Sequence, residues 1–383
     1  MIDIKNKEDC CGCKACIQIC PKKCIDVDID NEGFWYPEVD INRCIDCGLC
    51  EKVCPELADL KKREPIKCYA AKNQCDEIRL KSSSGGVFTE LARLVLDKKG
   101  VVFGAEFDNN WNVVHGFTET FEELSRFRGS KYVQSDTAQS FKQAKEYLDS
   151  GRYVLFTGTP CQIAGLSLFL RKEYSNLITM DFICHGVPSP EVWSLYLKKI
   201  APKYKIIKIS FRNKYYGWKR FSMNIKDSNN NVILETLDKN IYMKGFLKDL
   251  YLRPSCHSCS VKGFKSTSDI TVGDYWGVNS IIPQVDDDKG LSAVMLNTRK
   301  GHDLYNALSI FNVETTLTDI KRNNPSIFTS VAPHKSRLEF FDKYKTVDLT
   351  EVISLLIKEP PFCLFKRKVK YLIKTILIKL RIL

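Results

Sequence analysis

The sequence predicts two unequal folded parts, a small cysteine-rich α+β module and a larger mixed α/β domain, followed by a basic amphipathic helix. Three observations carry that prediction. A four-cysteine ladder occurs twice within residues 10–54. From residue 100 onward, apolar strand-like runs alternate with helix-like runs. Residues 362–383 set apolar side chains at helical steps among lysines and arginines. The 383 residues are 44% hydrophobic and 27% charged. That is a globular composition, long enough for two or three domains.

The ladder comes first. Cys10, Cys13, Cys16 and Cys20 precede Pro21, and Cys44, Cys47, Cys50 and Cys54 precede Pro55. This is C-x2-C-x2-C-x3-C-P written twice, the run of a two-cluster bacterial ferredoxin. Three thiolates on one tight loop cap three irons of a cubane, and the fourth serves the other cluster. Cys10, Cys13, Cys16 and Cys54 are therefore expected to hold one 4Fe–4S cluster. Cys44, Cys47, Cys50 and Cys20 are expected to hold the second. Zinc sites pair two C-x2-C elements and have no use for a third cysteine at the same step. The start of the chain shows no signal-peptide pattern, and a reduced cytoplasmic setting also argues against disulfides. Cys11, Cys24, Cys68 and Cys75 fall outside the ladder and read as buried, inert thiols. Between the two ladders, alternating apolar and polar residues around "NEG" read as a short hairpin.

The composition shifts at a linker near residues 57–66, which gives a first domain of 1–62. A body of 66–345 follows, with parts 66–205 and 206–345, and then a tail of 346–383. In the body, 100–107 reads as a strand and 136–151 as a helix capped by Asp136. "RYVLFTGTP" reads as a strand, "CQIAGLSLFLRKEY" as a helix and "NLITMDFICHG" as a strand. The helix of "PSPEVWSLYLKKI" is capped by Ser189 with Pro190 at its first position. That order predicts parallel strands. From Ile206 the pattern turns to hairpin-like strands.

Four features of the body could carry chemistry. "KSSSGGVF", with Ser83, Ser84, Gly85 and Gly86, leads into a helix. It suits a phosphate or pyrophosphate, or it is an ordinary cap. No G-x-G-x-x-G or Walker A sequence is present. Cys161 sits at the mouth of a helix, where a lowered thiol pKa is expected. Cys184 and His185 end a strand, and Cys256 and Cys259 form a C-x2-C pair. These four cysteines suffice for a third cubane or a zinc ion, and they also read as buried hydrophobes. His257 reads as a solvent-facing loop residue.

"SSSGGVF", "GSKYVQS", "LFTGTPCQIAGL", "DFICHGVPSP", "RPSCHSC", "SDITVGDYWG" and "KGLSAVMLNT" follow one another in an order that resembles the coenzyme F420 hydrogenase/dehydrogenase beta-subunit family. The resemblance covers residues 66–300. It implies an α+β ferredoxin module followed by a mixed α/β flavoprotein domain that binds FAD. It implies electron transfer between clusters and a deazaflavin coenzyme or another organic acceptor, such as an intermediate of surface-polysaccharide synthesis. Ser83, Ser84, Gly85, Gly86, Thr157, Gly158, Thr159 and Gln162 would line the flavin site. Cys161, Cys184, Cys256 and Cys259 would hold a third 4Fe–4S cluster beside it, and His185 is a proton-donor candidate. The family implies an iron–sulfur, flavin-dependent oxidoreductase partnered by a redox protein or a small-molecule donor or acceptor. The alternative is a non-catalytic adaptor that delivers electrons to a partner enzyme.

The net charge is +12, but residues 1–62 hold 9 basic against 13 acidic side chains, and residues 360–383 hold seven basic and none acidic. No nucleic-acid motif accompanies the excess, so no nucleic-acid partner is expected. The basic helix over 362–383 suits an anionic membrane surface or docking on a protein. No apolar run of spanning length appears. The expected location is cytoplasmic, with peripheral contact at the inner membrane surface.

Overall fold

The structure, a computed structural model, describes residues 1–358 apart from 202 and 204. The basic helix expected over 362–383, with its proposed membrane contact, lies outside the described residues. Among the described residues, no helix is long and apolar enough to cross a membrane.

The first module is built from two short helices, α1 (Ala15–Ile19) and α2 (Leu49–Lys52), and a hairpin of β1 (Ile25–Ile29) and β2 (Trp35–Val39). The hairpin pairs Ile25 with Val39. In the body, β3 (Lys67–Asn73), α3 (Asp76–Lys81), α4 (Val87–Asp97), β4 (Val101–Phe107) and β5 (Val113–Thr118) come first. Next are α5 (Ser140–Asp149), β6 (Val154–Thr157), α6 (Pro160–Leu170), β7 (Leu177–Phe182) and α7 (Pro190–Ile200). A three-stranded antiparallel sheet follows: β8 (Ile206–Asn213), β9 (Ser222–Asp227) and β10 (Val232–Thr236). After α8 (Ile241–Leu247), the chain returns through β11 (Ile270–Asp274), β12 (Ser292–Leu296), α9 (Arg299–Asn306) and β13 (Ile310–Thr315). Helices α10 (Leu317–Arg322), α11 (Arg337–Lys343) and α12 (Leu349–Leu356) end the described chain.

The main sheet has eight strands in the order β13-β3-β12-β11-β7-β6-β4-β5. Its centre, β11-β7-β6-β4, is parallel. The strands on either side pair antiparallel. Sheet residues alternate between two cores, as a pleat requires. Val102, Leu155 and Ile178 pack under α4 and Tyr305 of α9. Val101, Phe103, Val154 and Phe156 pack under α5 and α6. Strands β11, β12 and β13 lie in this sheet, so 66–205 and 206–345 share one core. Helix α12, in the segment assigned to the tail, buries Leu349, Val352 and Ile353 in a cluster with α7 and α8.

Helix α6 explains how the two parts meet. Thr159 and Gln162 close a capping box at its start, with Pro160 in the first turn. Its sequence is apolar all round, and such a helix must be covered on both sides. The sheet covers one side and α1 the other. Cys11, Cys13, Ala15 and Val53 of the first module join the core of α5 and α6. Gly165 suits this close approach, because a Cβ there would stand 3.0 Å from the Cys13 sulfur and the sulfur would have to give way.

Two expectations need correction. The helix predicted over 136–151 begins at Ser140, and Asp136 does not cap it. Asp136 instead receives the Ala138 amide and pairs with Lys14 Nζ at 2.7 Å. Parallel pairing holds only at the centre of the sheet.

Candidate functional site

The two ladders fold alike. Gly12 and Lys14 have φ of 70° and 59°, and Asp46 and Gly48, at the matching places, have 47° and 67°. These left-handed residues curl each loop so that successive cysteines face inward. The next residues start α1 and α2, which carry Cys16 and Cys50.

Three cavities are ringed by thiols. The first, about 420 Å³, is lined by Cys10, Cys11, Cys13, Cys16 and Cys54, with Trp35 and Tyr36. The second, about 350 Å³, is lined by Cys20, Cys24, Cys44, Cys47 and Cys50. Cys54 thus meets the first ladder and Cys20 the second. The third, about 680 Å³, is lined by Cys161, Cys184, Cys256 and Cys259, with Cys11, Glu56, His185 and Lys262. Cys11 lines both the first and the third cavity. Cys47 is exposed, so the second cavity lies at the solvent end of the series. Among the described residues, no group of three or more His, Cys, Asp or Glu side chains forms a single-ion site.

The donor chemistry fits sulfur-bridged iron. Main-chain amides of Ile2, Asp46 and Val187 donate to the sulfurs of Cys50, Cys44 and Cys256, at 3.2, 3.4 and 3.4 Å. Burial pushes the Cys256 thiol up to about 12 and Cys259 to about 11, and holds Cys184 well above the ordinary range. Hydrogen bonding with Cys11, with burial added, does the same to Cys161. The lowered pKa expected at the mouth of α6 is therefore absent, because neighbouring thiols and desolvation outweigh the helix end.

Cys11 and Cys24 are not remote thiols, since each faces a cavity. The Cys24 sulfur lies 3.4 Å from that of Cys20. Cys68 is buried, but Cys75 is exposed. His257 does not face solvent. Its Nδ1 is 2.9 Å from the Val331 carbonyl, and its Nε2 is buried. His185 Nε2 pairs with Asp249 at 2.6 Å at the edge of the third cavity.

The serine–glycine segment precedes α4. Ser83 Oγ accepts from the Ser130 amide at 2.6 Å, and Ser84 Oγ donates to the Leu291 carbonyl at 2.7 Å. The Gly85 amide donates to Ser292 Oγ, and a Cβ there would lie 2.2 Å from the Ala71 carbonyl. Gly86 has φ of 87°. Thr157 Oγ1 donates to the Phe103 carbonyl at 2.9 Å, the Thr159 amide donates to Gln162 Oε1, and Gln162 Nε2 reaches Ser135. Gly158 lies beside Gln162 and His115. The side chains of this set are thus already partnered within the protein.

Two amines stand beside them, Lys131 within "GSKYVQS" and Lys214 just after β8. Lys131 Nζ donates to the carbonyls of Arg128 and Gly129 and lies over the Phe107 ring, and Lys214 Nζ donates to the carbonyls of Arg79, Ser84 and Lys289. Neither has a carboxylate partner within salt-bridge distance among the described residues. Burial lowers Lys131 to about 8 and Lys214 to about 7.

Below the third cavity, β7 carries the buried Asp181, whose carboxylate receives Ser266 and Thr271 hydroxyls. Burial raises it from 3.8 to about 6. The folded state therefore binds more protons than the unfolded state between about pH 4 and 6, and stability falls as pH rises through that window. By pH 7 the cost is roughly 3 kcal/mol. The expected result is that Asp181→Asn gains thermal stability relative to the unmodified protein as pH rises from about 4 to 7. A difference in melting temperature that stays constant with pH would count against this.

Residues 9–58 match a 4Fe-4S dicluster domain. Residues 68–142 and 151–319 match the N-terminal and C-terminal family descriptions of the coenzyme F420 hydrogenase/dehydrogenase beta subunit. The chain belongs to that family. A subunit of the F(420)H(2) dehydrogenase of Methanosarcina mazei is 23% identical over 302 residues, 73% of this chain and 80% of that protein. The coenzyme F420-dependent sulfite reductase of Methanocaldococcus jannaschii is 24% identical over 333 residues, 80% of this chain. The aligned part is 47% of the reductase. A solved chain of the F420-reducing [NiFe] hydrogenase complex from Methanosarcina barkeri aligns at 19% identity with a TM-score of 0.47, covering 74% of this chain and 91% of that one. The chain is thus an iron–sulfur protein of an oxidoreductase family, with a 4Fe-4S dicluster module ahead of a larger α/β body.

Proposed function

We propose that the protein is an iron–sulfur flavoprotein oxidoreductase that exchanges electrons with an organic acceptor, divided into a ferredoxin module of 1–62 and a flavin-binding body of 66–345. The observation that carries this reading is the set of three thiol-ringed cavities, from the one at exposed Cys47 to the one that Cys161 lines at the start of α6. Cys10, Cys13, Cys16 and Cys54 would hold one 4Fe–4S cluster, and Cys20, Cys44, Cys47 and Cys50 a second. Cys161, Cys184, Cys256 and Cys259 would hold a third. Ser83, Ser84, Gly85, Gly86, Thr157, Gly158, Thr159 and Gln162 would line the site that holds FAD. Support for FAD comes from Lys131 and Lys214, two buried amines with no carboxylate within salt-bridge distance among the described residues, beside a glycine-rich helix start, where a bound diphosphate would favour their charged forms. Bound there, the clusters supply one-electron transfer and the flavin supplies the passage to two-electron chemistry.

The chain's own groups shape the sites. Main-chain amides hold the cysteine sulfurs, and Lys262 Nζ fixes the Cys184 loop through the Cys184 and Ser326 carbonyls. Asp249 orients His185 at the cavity edge, where it can hand over a proton. The relatives named for coenzyme F420 make a deazaflavin a natural acceptor class, and a biosynthetic intermediate is another. An adaptor without flavin is the second reading. It is favoured by the internal partnering of the Ser84, Thr157 and Gln162 side chains.

Flavin binding separates the two readings. Protein purified without oxygen should release FAD on denaturation. Lys131→Gln and Lys214→Gln should each weaken FAD binding at least tenfold, about the worth of one charged hydrogen bond. Holoprotein that neither contains nor takes up flavin would favour the adaptor.

A further inference from the structure

Arg253 is fully buried and has no carboxylate partner among the described residues. The other deeply buried arginines are paired: Arg79 with Asp287, Arg212 with Asp274, and Arg337 with Glu32. Arg253 instead donates only to neutral acceptors. Nε reaches the Cys10 carbonyl at 2.7 Å, Nη1 the Gln134 Oε1 at 3.1 Å and Nη2 the Trp35 carbonyl at 2.9 Å. Its guanidinium lies 4.5 Å from the centre of the Tyr36 ring, a wall of the first cavity. Gly12, in the first cysteine loop, makes room for it, since a Cβ there would stand 2.8 Å from Nη1.

A buried charge is costly without an opposite charge nearby. The ionisable groups that act most strongly on Arg253 are Cys10, Tyr36, Cys11 and Cys256, and Glu56 of the third cavity also feels its charge, without reaching salt-bridge distance. Of these, Cys10, Cys11 and Tyr36 line the first cavity, and Cys11 and Cys256 line the third. Two of those thiols, Cys10 and Cys256, are among the ligands assigned to clusters above.

We propose that Arg253 is the counter-charge of a cluster held by Cys10, Cys13, Cys16 and Cys54, and sets its reduction potential above that of the cluster at the exposed Cys47 end. One-electron reduction adds a negative charge to a cluster, and a fixed cation in a low-dielectric site favours the reduced form. At the outer site, the Met1 amine already pairs with Asp46 and Glu51. Lys22, on the same wall, is exposed and therefore screened by solvent. This inference rests on the cluster assignment above.

The test is an EPR-monitored redox titration of anaerobically reconstituted full-length protein, with iron and sulfide counted on the same samples. The outer cluster's signal is the one altered by Cys47→Ser, and the signal of the cluster at Cys10, Cys13, Cys16 and Cys54, the inner of the module's two, is the one altered by Cys16→Ser. Arg253→Gln should lower the inner cluster's reduction equilibrium at least tenfold, equal to 59 mV for one electron. The outer cluster should move far less. Arg253→Lys, which keeps the charge, should shift less than Arg253→Gln. Gln134→Glu leaves Arg253 in place and sets a carboxylate against it, so it should shift the inner potential in the same direction as Arg253→Gln. If Arg253→Gln loses its clusters, Gln134→Glu decides. Unmoved potentials, or a lysine variant that shifts as far as the glutamine one, overturn the role of Arg253 alone. Wild-type protein that takes up no iron overturns the cluster assignment instead.

Discussion

Replacing Cys256 and Cys259 together by serine should take the iron content from about twelve to about eight per chain, at four per cubane. The pair comes from one loop, and both thiols face the third cavity with Cys161 and Cys184. Removing two of four ligands leaves a cubane open on two corners, and hydroxyls are poor substitutes for thiolates there. The first two cavities draw on residues 10–54 alone for their ladder cysteines, so their clusters should survive. Acid-labile sulfide should fall in step with iron. Equal iron in the variant and the parent, at about eight, would mean that the third cavity holds no cluster. One zinc per chain, lost in the variant, would mean that it holds a different metal.

Arg337→Met should destabilise the protein by about 3–5 kcal/mol, because it leaves a buried carboxylate without its cation. Arg337 on α11 makes a two-point pair with Glu32 at the tip of the β1–β2 hairpin, at 3.0 and 2.6 Å. Both residues are under a tenth exposed. Arg337 also donates to the Leu252 carbonyl. The pair joins segments from opposite ends of the sequence, so its loss should free the cysteine-rich module as well as lower the melting temperature. The double variant Glu32→Gln with Arg337→Met should recover part of the loss, since no charge then stays buried. Anaerobic thermal unfolding and limited proteolysis near residues 57–66 provide the readout. A melting temperature within a degree of the parent would contradict the argument.

The parts of this site that were legible in the sequence are those whose chemistry depends on spacing. A cubane needs thiols at short, fixed steps, so the two ladders could be read directly. Cys161, Cys184, Cys256 and Cys259 could only be counted, because a helix start, a strand end and a loop bring them together. The charges were illegible for a different reason. Arg253 stands within "RPSCHSC", but nothing local shows that a lysine or arginine will be buried or left without a carboxylate. Lys131 and Lys214 were hidden in the same way. The fold shows a similar divide. Ser189 caps its helix as its sequence suggests, with Pro190 in the first turn, and its hydroxyl accepts from the Val192 amide at 3.4 Å. Asp136 looked like an equally good cap, yet a lysine from the other module, Lys14, claims it. Tertiary partners outcompete local signals wherever two distant segments meet, and this site is made almost wholly of such meetings.

The central claim is that three sites of four thiols each hold iron. Anomalous diffraction at the iron edge, from crystals grown without oxygen, tests it most directly. The account predicts three strong iron peaks. One should lie among Cys10, Cys13, Cys16 and Cys54, one among Cys20, Cys44, Cys47 and Cys50, and one among Cys161, Cys184, Cys256 and Cys259. Peaks at the zinc edge in these places, or no iron among the last four thiols, would contradict it.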